Sequence, residues 1–415
     1  MNPDQNQEEI AGVPARRAAL RLMDAVLRRG ETLENAGVSA LSGLRHPADK
    51  ALARALAGEA LRWMVDLDAM IDSATRQILP DDAKPRAVLR LMLAGWLRLE
   101  TPPHAVISTG LELLQGGPRR LAHGVFSALV RGGASLPDAP TLPEAVAQRW
   151  GERARAIAAG LAVPPPLDLS LKAGAVAPEG TALAPLHLRL ARGEAVEGLA
   201  GFEEGGWWVQ DLAASIPARL LGEGVGADGV ARRVLDVCAA PGGKTMQLAA
   251  AGWQVTALDS SPRRLERMGA NLARTGLSAE LVSGDAREWS PNSLFDAVLL
   301  DAPCTATGTC RRHPDVLHRI GSRQIGEMAS LQAELIERAA AWLKPGGVLV
   351  YAVCSLEREE GEDQAAQVAL TPDPIRAEEL PQGLTPTPEG WLRSDPANLA
   401  EHGGLDGFFV ARWKK

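Results

Sequence analysis

The sequence predicts a multidomain chain: an all-α bundle over residues 1–140, then an α/β domain whose sheet is mostly parallel with an antiparallel last strand. Three observations predict it. Apolar residues recur at three- and four-residue spacing, as in Leu20, Met23, Leu27 and Leu89, Met92, Leu93, Trp96, which is one face of a helix. From Val234 onward, short apolar runs alternate with helical stretches, as parallel strands and their crossover helices do. The chain has 415 residues, more than one ordinary core holds.

The elements follow in order. Pro80, Pro85 and Pro102–Pro103 punctuate the helices of the first segment. The Pro-rich stretch SLPDAPTLPEA (135–145) leads into residues 141–225, a linker and small mixed α/β module with a helical piece near 145–159. A Gly-rich break, GEGVGADG, then leads into a Rossmann-like domain over residues 226–415. VLDV is its first strand, and a Gly turn leads to a helix near 245–251. QVTALD is a strand, Pro262 sits where a first helical turn tolerates proline, and that helix runs to Thr275. AELVSGD and AVLLD are strands, residues 323–343 a helix, GVLVYAVC a strand, and FFVARW the antiparallel one.

Composition narrows the classes. No run of about 18 uncharged apolar residues appears, so no membrane span is expected. The start, MNPDQNQEEIAGVPARR, lacks the apolar core of a signal peptide, and a cytoplasmic protein is expected. The four cysteines, Cys238, Cys304, Cys310 and Cys354, form no C-x-x-C pair, so neither a disulfide framework nor a bound metal is expected. The net charge of −7 argues weakly against nucleic acid, but the acidic excess lies beyond residue 140. With one Tyr and five Phe, an extended stacking platform for bases is not expected.

DVCAAPGGKT (236–245) joins the first strand of the sheet to its first helix, where open α/β sheets bind ligands. Gly242 and Gly243 let backbone approach a ligand, and the helix N-terminus offers N–H groups to an anion. The stretch is neither G-x-G-x-x-G nor a phosphate loop. Cys238, Ala239, Ala240, Pro241, Gly242, Gly243 and Lys244 are therefore cofactor-binding candidates. Asp259 ends the next strand, where an acid takes ribose hydroxyls, and Asp285 follows the third, where one could hold an adenine amino group. A methionine carboxylate at the helix N-terminus completes S-adenosylmethionine as the expected cofactor.

Two thiols follow two strand ends: Cys304 in DAPCTATGTCRRHPDV and Cys354 in YAVCSLEREEGE. If the strands are neighbours, both thiols open onto one crevice; position alone does not assign their roles.

DVCAAPGGKT, the DAPC loop with TGTCRRHPDV, and YAVCSLEREEGE resemble the motifs of RNA (cytosine-5) methyltransferases. VQDLAA, ALDSSPRRL, NLARTG and DGFFVAR extend the likeness from about Leu167 to the end. AVISTGLELL and HGVFSALVR in the helical segment resemble a NusB-like RNA-binding domain. The pairing is that of the Sun/RsmB-type 16S rRNA methyltransferases. The resemblance implies methyl transfer to carbon 5 of an RNA cytosine, of the 16S position 967 type; a monomer is expected. Carbon 5 is a poor nucleophile until a thiolate adds at carbon 6. The resemblance makes Cys354 that nucleophile and Cys304 the residue that assists release. Asp301 is implied in two roles, catalytic at the base edge and cofactor-binding. The family loop reads close to DAPCSGTG; here Ala306 replaces a glycine, and Val353 replaces the Thr of a TCS triplet. Arg311, Arg312 and His313, with Arg16 and Arg17 in the helical segment, are candidate RNA contacts. Two alternatives stay open: the same chemistry on tRNA, and a non-catalytic NusB-like RNA-binding protein.

Overall fold

The computed structural model describes residues 10–191, 193 and 195–415; the expectation that the chain starts without a signal peptide falls partly on residues 1–9, outside them. By contact the chain divides into two units: residues through Ala162 with Arg312–Arg319, and Val163–Arg311 with Ile320–Lys415.

The first unit is helical. Its elements are α1 (Val13–Arg29), α2 (Leu33–Ala40), α3 (Pro47–Arg62), α4 (Met64–Ser73), α5 (Lys84–Leu97), α6 (Pro103–Gly110), α7 (Gly116–Arg131), α8 (Glu144–Trp150) and α9 (Ala154–Leu161). Pro14 and Pro47 sit in first turns, where a missing N–H costs nothing. Leu22, Leu56, Leu89 and Phe126 meet in the core, with alanines of α1 and α3 between them. Small side chains let those two helices approach closely. Arg86 and Arg90 of α5 are buried and pair with Asp68 of α4 at 2.9 and 2.7 Å. The piece read as linker, α8 and α9, lies within this unit: Arg98 donates to Ala162 O at 2.7 Å.

The second unit opens with β1 (Leu167–Leu171), β2 (Thr181–Ala184), β3 (His187–Leu190) and β4 (Trp207–Val209), an antiparallel sheet in the order β2-β3-β1-β4. Asp168 of β1 accepts both arms of Arg189 at 2.6 and 2.7 Å and caps α10 (Leu212–Arg219) through Leu212 N.

Then come β5 (Arg233–Val237), α11 (Gly243–Ala250), β6 (Gln254–Asp259), α12 (Pro262–Thr275), β7 (Glu280–Ser283) and β8 (Phe295–Asp301). The short α13 (Val316–Arg319) belongs to the helical unit. The remainder is α14 (Ser322–Ala341), β9 (Leu343–Val353), α15 (Glu362–Ala365), β10 (Thr371–Pro372), β11 (Leu392–Ser394) and β12 (Phe408–Lys414). The strands form one sheet in the order β10-β12-β9-β8-β5-β6-β7, with β11 also on β12. Strands β7, β6, β5, β8 and β9 run parallel, and β12 is antiparallel to β9, as expected. Strand order reverses at β5, and such a switch point opens a crevice at the carboxyl ends of β5 and β8. Apolar side chains fill both faces: Val234, Leu299 and Val350 on one, Leu235, Val298 and Tyr351 on the other. Among the described residues no helix is long and apolar enough to cross a membrane.

Candidate active site

The cofactor-binding candidates line the carboxyl ends of β5, β6 and β7. Cys238 leaves β5 at φ 61°, and Ala239 N donates to Leu258 O at 3.1 Å, so the loop leans on β6. Ala240 N donates to Asp259 Oδ2 at 3.1 Å, and Ser261 N to Asp259 Oδ1 at 2.9 Å. The buried Asp259 thus rivets its own loop to the 238–242 loop. Gly242 has φ 102°, and a Cβ there would lie 2.6 Å from Met268 Cγ. Only glycine fits that turn into α11 without strain. No side chain caps the N-terminus of α11, which leaves its first N–H groups to a ligand. Asp285 is chelated by Arg287, which holds its carboxyl down at about 2, so it stays an acceptor. Burial pushes the Cys238 thiol up to about 12, helped by Asp301 and Asp259, so it is an inert loop residue.

The two strand-end thiols meet. Parallel pairing of β8 with β9 puts Asp301 beside Ala352, and Cys304 Sγ lies 3.4 Å from Cys354 Sγ. Gly308 N donates to Cys354 O at 3.0 Å and Gly407 N to Gly308 O at 2.8 Å, which locks the two loops and the start of β12 together. A Cβ at Gly308 would collide with Gly407 O, so the packing requires glycine there. Ala306 occupies the left-handed region at φ 57°, where the family loop has its glycine. The Cys304 thiol is pushed well above its usual range, first by its hydrogen bond with Cys354, then by burial. The two sulfurs share one hydrogen bond, in which either can donate.

Lys244, in the first turn of α11, is buried and donates to Asp301 Oδ2 at 2.8 Å. Its ammonium lies 5.3 Å from the Phe408 ring centroid. Burial opposes its charge, but Asp301 and Cys354 outweigh that and raise its pKa. A cation here is thus shared by the acid and the thiol. Behind it Asp236 is wholly buried, accepts from Thr245 Oγ1 at 2.6 Å, and leaves Oδ1 without a partner. Burial pushes its carboxyl up to about 7.

The sequence reading missed Glu360. Its buried carboxylate accepts from Thr305 N at 2.9 Å, Gln332 Nε2 at 3.1 Å, and the hydroxyls of Thr305 and Ser355. SLEREEGE holds four glutamates, and nothing local says which one meets the Cys304 loop.

Two RNA-contact candidates are corrected. Arg311 is fully buried: it donates to Asp406 Oδ1 at 3.1 Å, Asp211 Oδ2 at 3.0 Å and Gly403 O at 2.6 Å. Arg16 is 8% exposed and donates to Gly12 O at 3.0 Å, and burial lowers its pKa. The Arg311 guanidinium reaches no solvent to meet a phosphate, and that of Arg16 is largely buried and turned back onto its own helix. Arg17 and His313 are exposed and Arg312 half-buried, all three in the helical unit. Cys310 is buried, consistent with an incidental thiol.

A family model for 16S rRNA methyltransferase RsmB/F matches residues 229–414, and one for the NusB family matches residues 13–119. Ribosomal RNA small subunit methyltransferase B of Klebsiella pneumoniae subsp. pneumoniae is 34% identical over 435 residues, covering 96% of this chain and 97% of that protein. The protein of that name from Xanthomonas campestris pv. campestris is 35% identical over 385 residues, covering 85% and 87%. The crystal structure of PH0851 has a TM-score of 0.69 at 22% identity, covering 97% of this chain and 99% of that one, a likeness of fold.

Proposed function

This chain belongs to the RsmB/F family of 16S rRNA methyltransferases, and we propose that it methylates carbon 5 of a cytosine in 16S rRNA, of the position 967 type, through a covalent adduct on Cys354. It is an S-adenosylmethionine-dependent methyltransferase. The residues fit that cofactor: the uncapped α11 N-terminus suits a carboxylate, Asp259 a ribose diol and Asp285 an adenine amino group. Arg264 lies 3.3 Å from Asp259 and is half exposed. When bound, the cofactor supplies a methyl group on a sulfonium centre.

One observation carries the reading: two thiols from different loops, 3.4 Å apart, beside an ion pair between buried Lys244 and half-buried Asp301 at the switch point. Cys354 sulfur adds to carbon 6, and the electron pair moves toward N3, where Asp301 shares a proton with the ring. Carbon 5 becomes enamine-like and takes the methyl group. Cys304, once its own proton has passed to solvent, then removes the carbon-5 proton, and the Cys354 sulfur leaves as thiolate as the ring regains its double bond. Once Cys354 sulfur is bonded to carbon, the hydrogen bond that chiefly raises the Cys304 pKa is gone, which eases loss of the Cys304 proton although burial still opposes it. The target base must be unpaired or flipped to reach the thiols. A non-catalytic RNA-binding protein would have no use for this pair.

Denaturing electrophoresis after incubation with rRNA and cofactor tests the roles. Cys304→Ala is expected to accumulate a protein–RNA band. Cys354→Ala is expected to give neither band nor product. A band with Cys354→Ala instead reverses the assignment, and full methylation by both variants refutes thiol catalysis. Methylation of tRNA but not rRNA would leave the chemistry and change the substrate.

A further inference from the structure

We infer that Glu360 is a positioning residue for both thiols: its buried carboxylate ties the residue after Cys304 to the residue after Cys354 and so sets their approach. The inference rests on the roles proposed above for Cys304 and Cys354.

Each oxygen of Glu360 has a distinct task. Oε1 accepts from Thr305 N at 2.9 Å and from Gln332 Nε2 at 3.1 Å, and the same Gln332 amide donates to Pro303 O at 2.8 Å. The backbone on either side of Cys304 is thereby fixed. Oε2 takes the hydroxyls of Thr305 and Ser355, so one atom bridges the two loops. Glu360 is itself held, because the Tyr351 hydroxyl donates to its carbonyl at 2.6 Å. On the far side of the second loop, Arg393 donates to Ser355 O and pairs with Glu362. All the side-chain and backbone donors to the Glu360 carboxylate are neutral, and a carboxylate offers about four acceptor sites and no donor. Burial raises its pKa, opposed by the hydroxyls of Ser355 and Thr305. Its charge also adds, after Cys354 and burial, to what keeps Cys304 protonated.

Thiol approach can be read without RNA. Diamide oxidises two adjacent thiols to a disulfide, taking up their two electrons and two protons, at a rate set by how closely they meet. Glu360→Asp shortens the reach by one methylene and cannot hold both loops. We expect it to slow Cys304–Cys354 disulfide closure at least tenfold and to lower kcat at least tenfold, with cofactor Kd within twofold of wild type. Glu360→Gln keeps the length, the Thr305 N–H acceptor and a group that faces both hydroxyls. It is expected to restore closure to within about threefold of the wild-type rate. Should Glu360→Asp not fold, Ser355→Ala removes one arm of the bridge and is expected to slow closure at least threefold. Wild-type closure rates in Glu360→Asp, or in Ser355→Ala as its substitute, overturn the inference. Slowed closure together with an active Cys354→Ala protein would sink the proposed chemistry and leave the positioning role standing.

Discussion

Replacing Arg311 by Met tests whether this arginine is structural. Its guanidinium is fully buried and is held by Asp406, Asp211 and the Gly403 carbonyl. Asp211 also caps α10 through Ala213 N at 3.0 Å and accepts from Asp406 N at 3.3 Å. Methionine fills much of the volume but leaves two buried carboxylates without this cation. Removing one partner of a buried ion pair costs about 3–5 kcal/mol, because the remaining charge is stranded. For a unit of this size, about 2–4 °C is lost per kcal/mol, so the second unit should melt roughly 10 °C lower. Urea and thermal unfolding read the stability, and fluorescence anisotropy at several salt concentrations reads RNA binding at a temperature where the variant is folded. The salt slope of binding should be unchanged. An unaltered unfolding midpoint with a slope reduced by about 0.7–0.9, one phosphate contact, would refute the structural assignment.

Two further perturbations follow from the site. Asp236 titrates at about 7 in the folded chain against a usual 3.8, so the folded state binds more protons between those values and stability falls as pH rises through that window. At about 1.36 kcal/mol per unit, the fall between pH 5 and pH 8 is about 3 kcal/mol. Asp236→Asn should flatten it, and parallel urea midpoints for both proteins at those two pH values would count against a buried, late-titrating Asp236. Ala306→Gly relieves a left-handed alanine worth about 1–2 kcal/mol, against a glycine entropy cost of about 0.5–1 kcal/mol. The variant should gain up to about 1.5 kcal/mol with cofactor affinity unchanged, and a clear loss of stability would mean that the Ala306 side chain contributes packing.

Much of the domain was legible because its cues are local. The alternation from Val234 onward gave the strands, and DVCAAPGGKT with Asp259 and Asp285 marked the carboxyl edge, since one loop and two strand ends carry those features in sequence order. Arg311 misled for the opposite reason. A run of Arg-Arg-His looks solvated from its neighbours alone, and the acids that bury Arg311 stand at positions 211 and 406. Arg16 misled in the same way, because helical phase alone did not show that its turn of α1 faces inward.

The residue pattern by itself determined the helical segment, the parallel sheet, the cofactor edge and the presence of two strand-end thiols. The tertiary structure decided that β8 and β9 are neighbours, that their thiols stand 3.4 Å apart, that Lys244 turns to Asp301, and that Glu360 is the acid of its run that takes the Thr305 and Ser355 donors. Strand propensity and turn chemistry act over a few residues and can be read along the chain. Strand pairing, burial and charge partnership join residues tens to hundreds of positions apart, and only the folded sheet brings them within bonding distance.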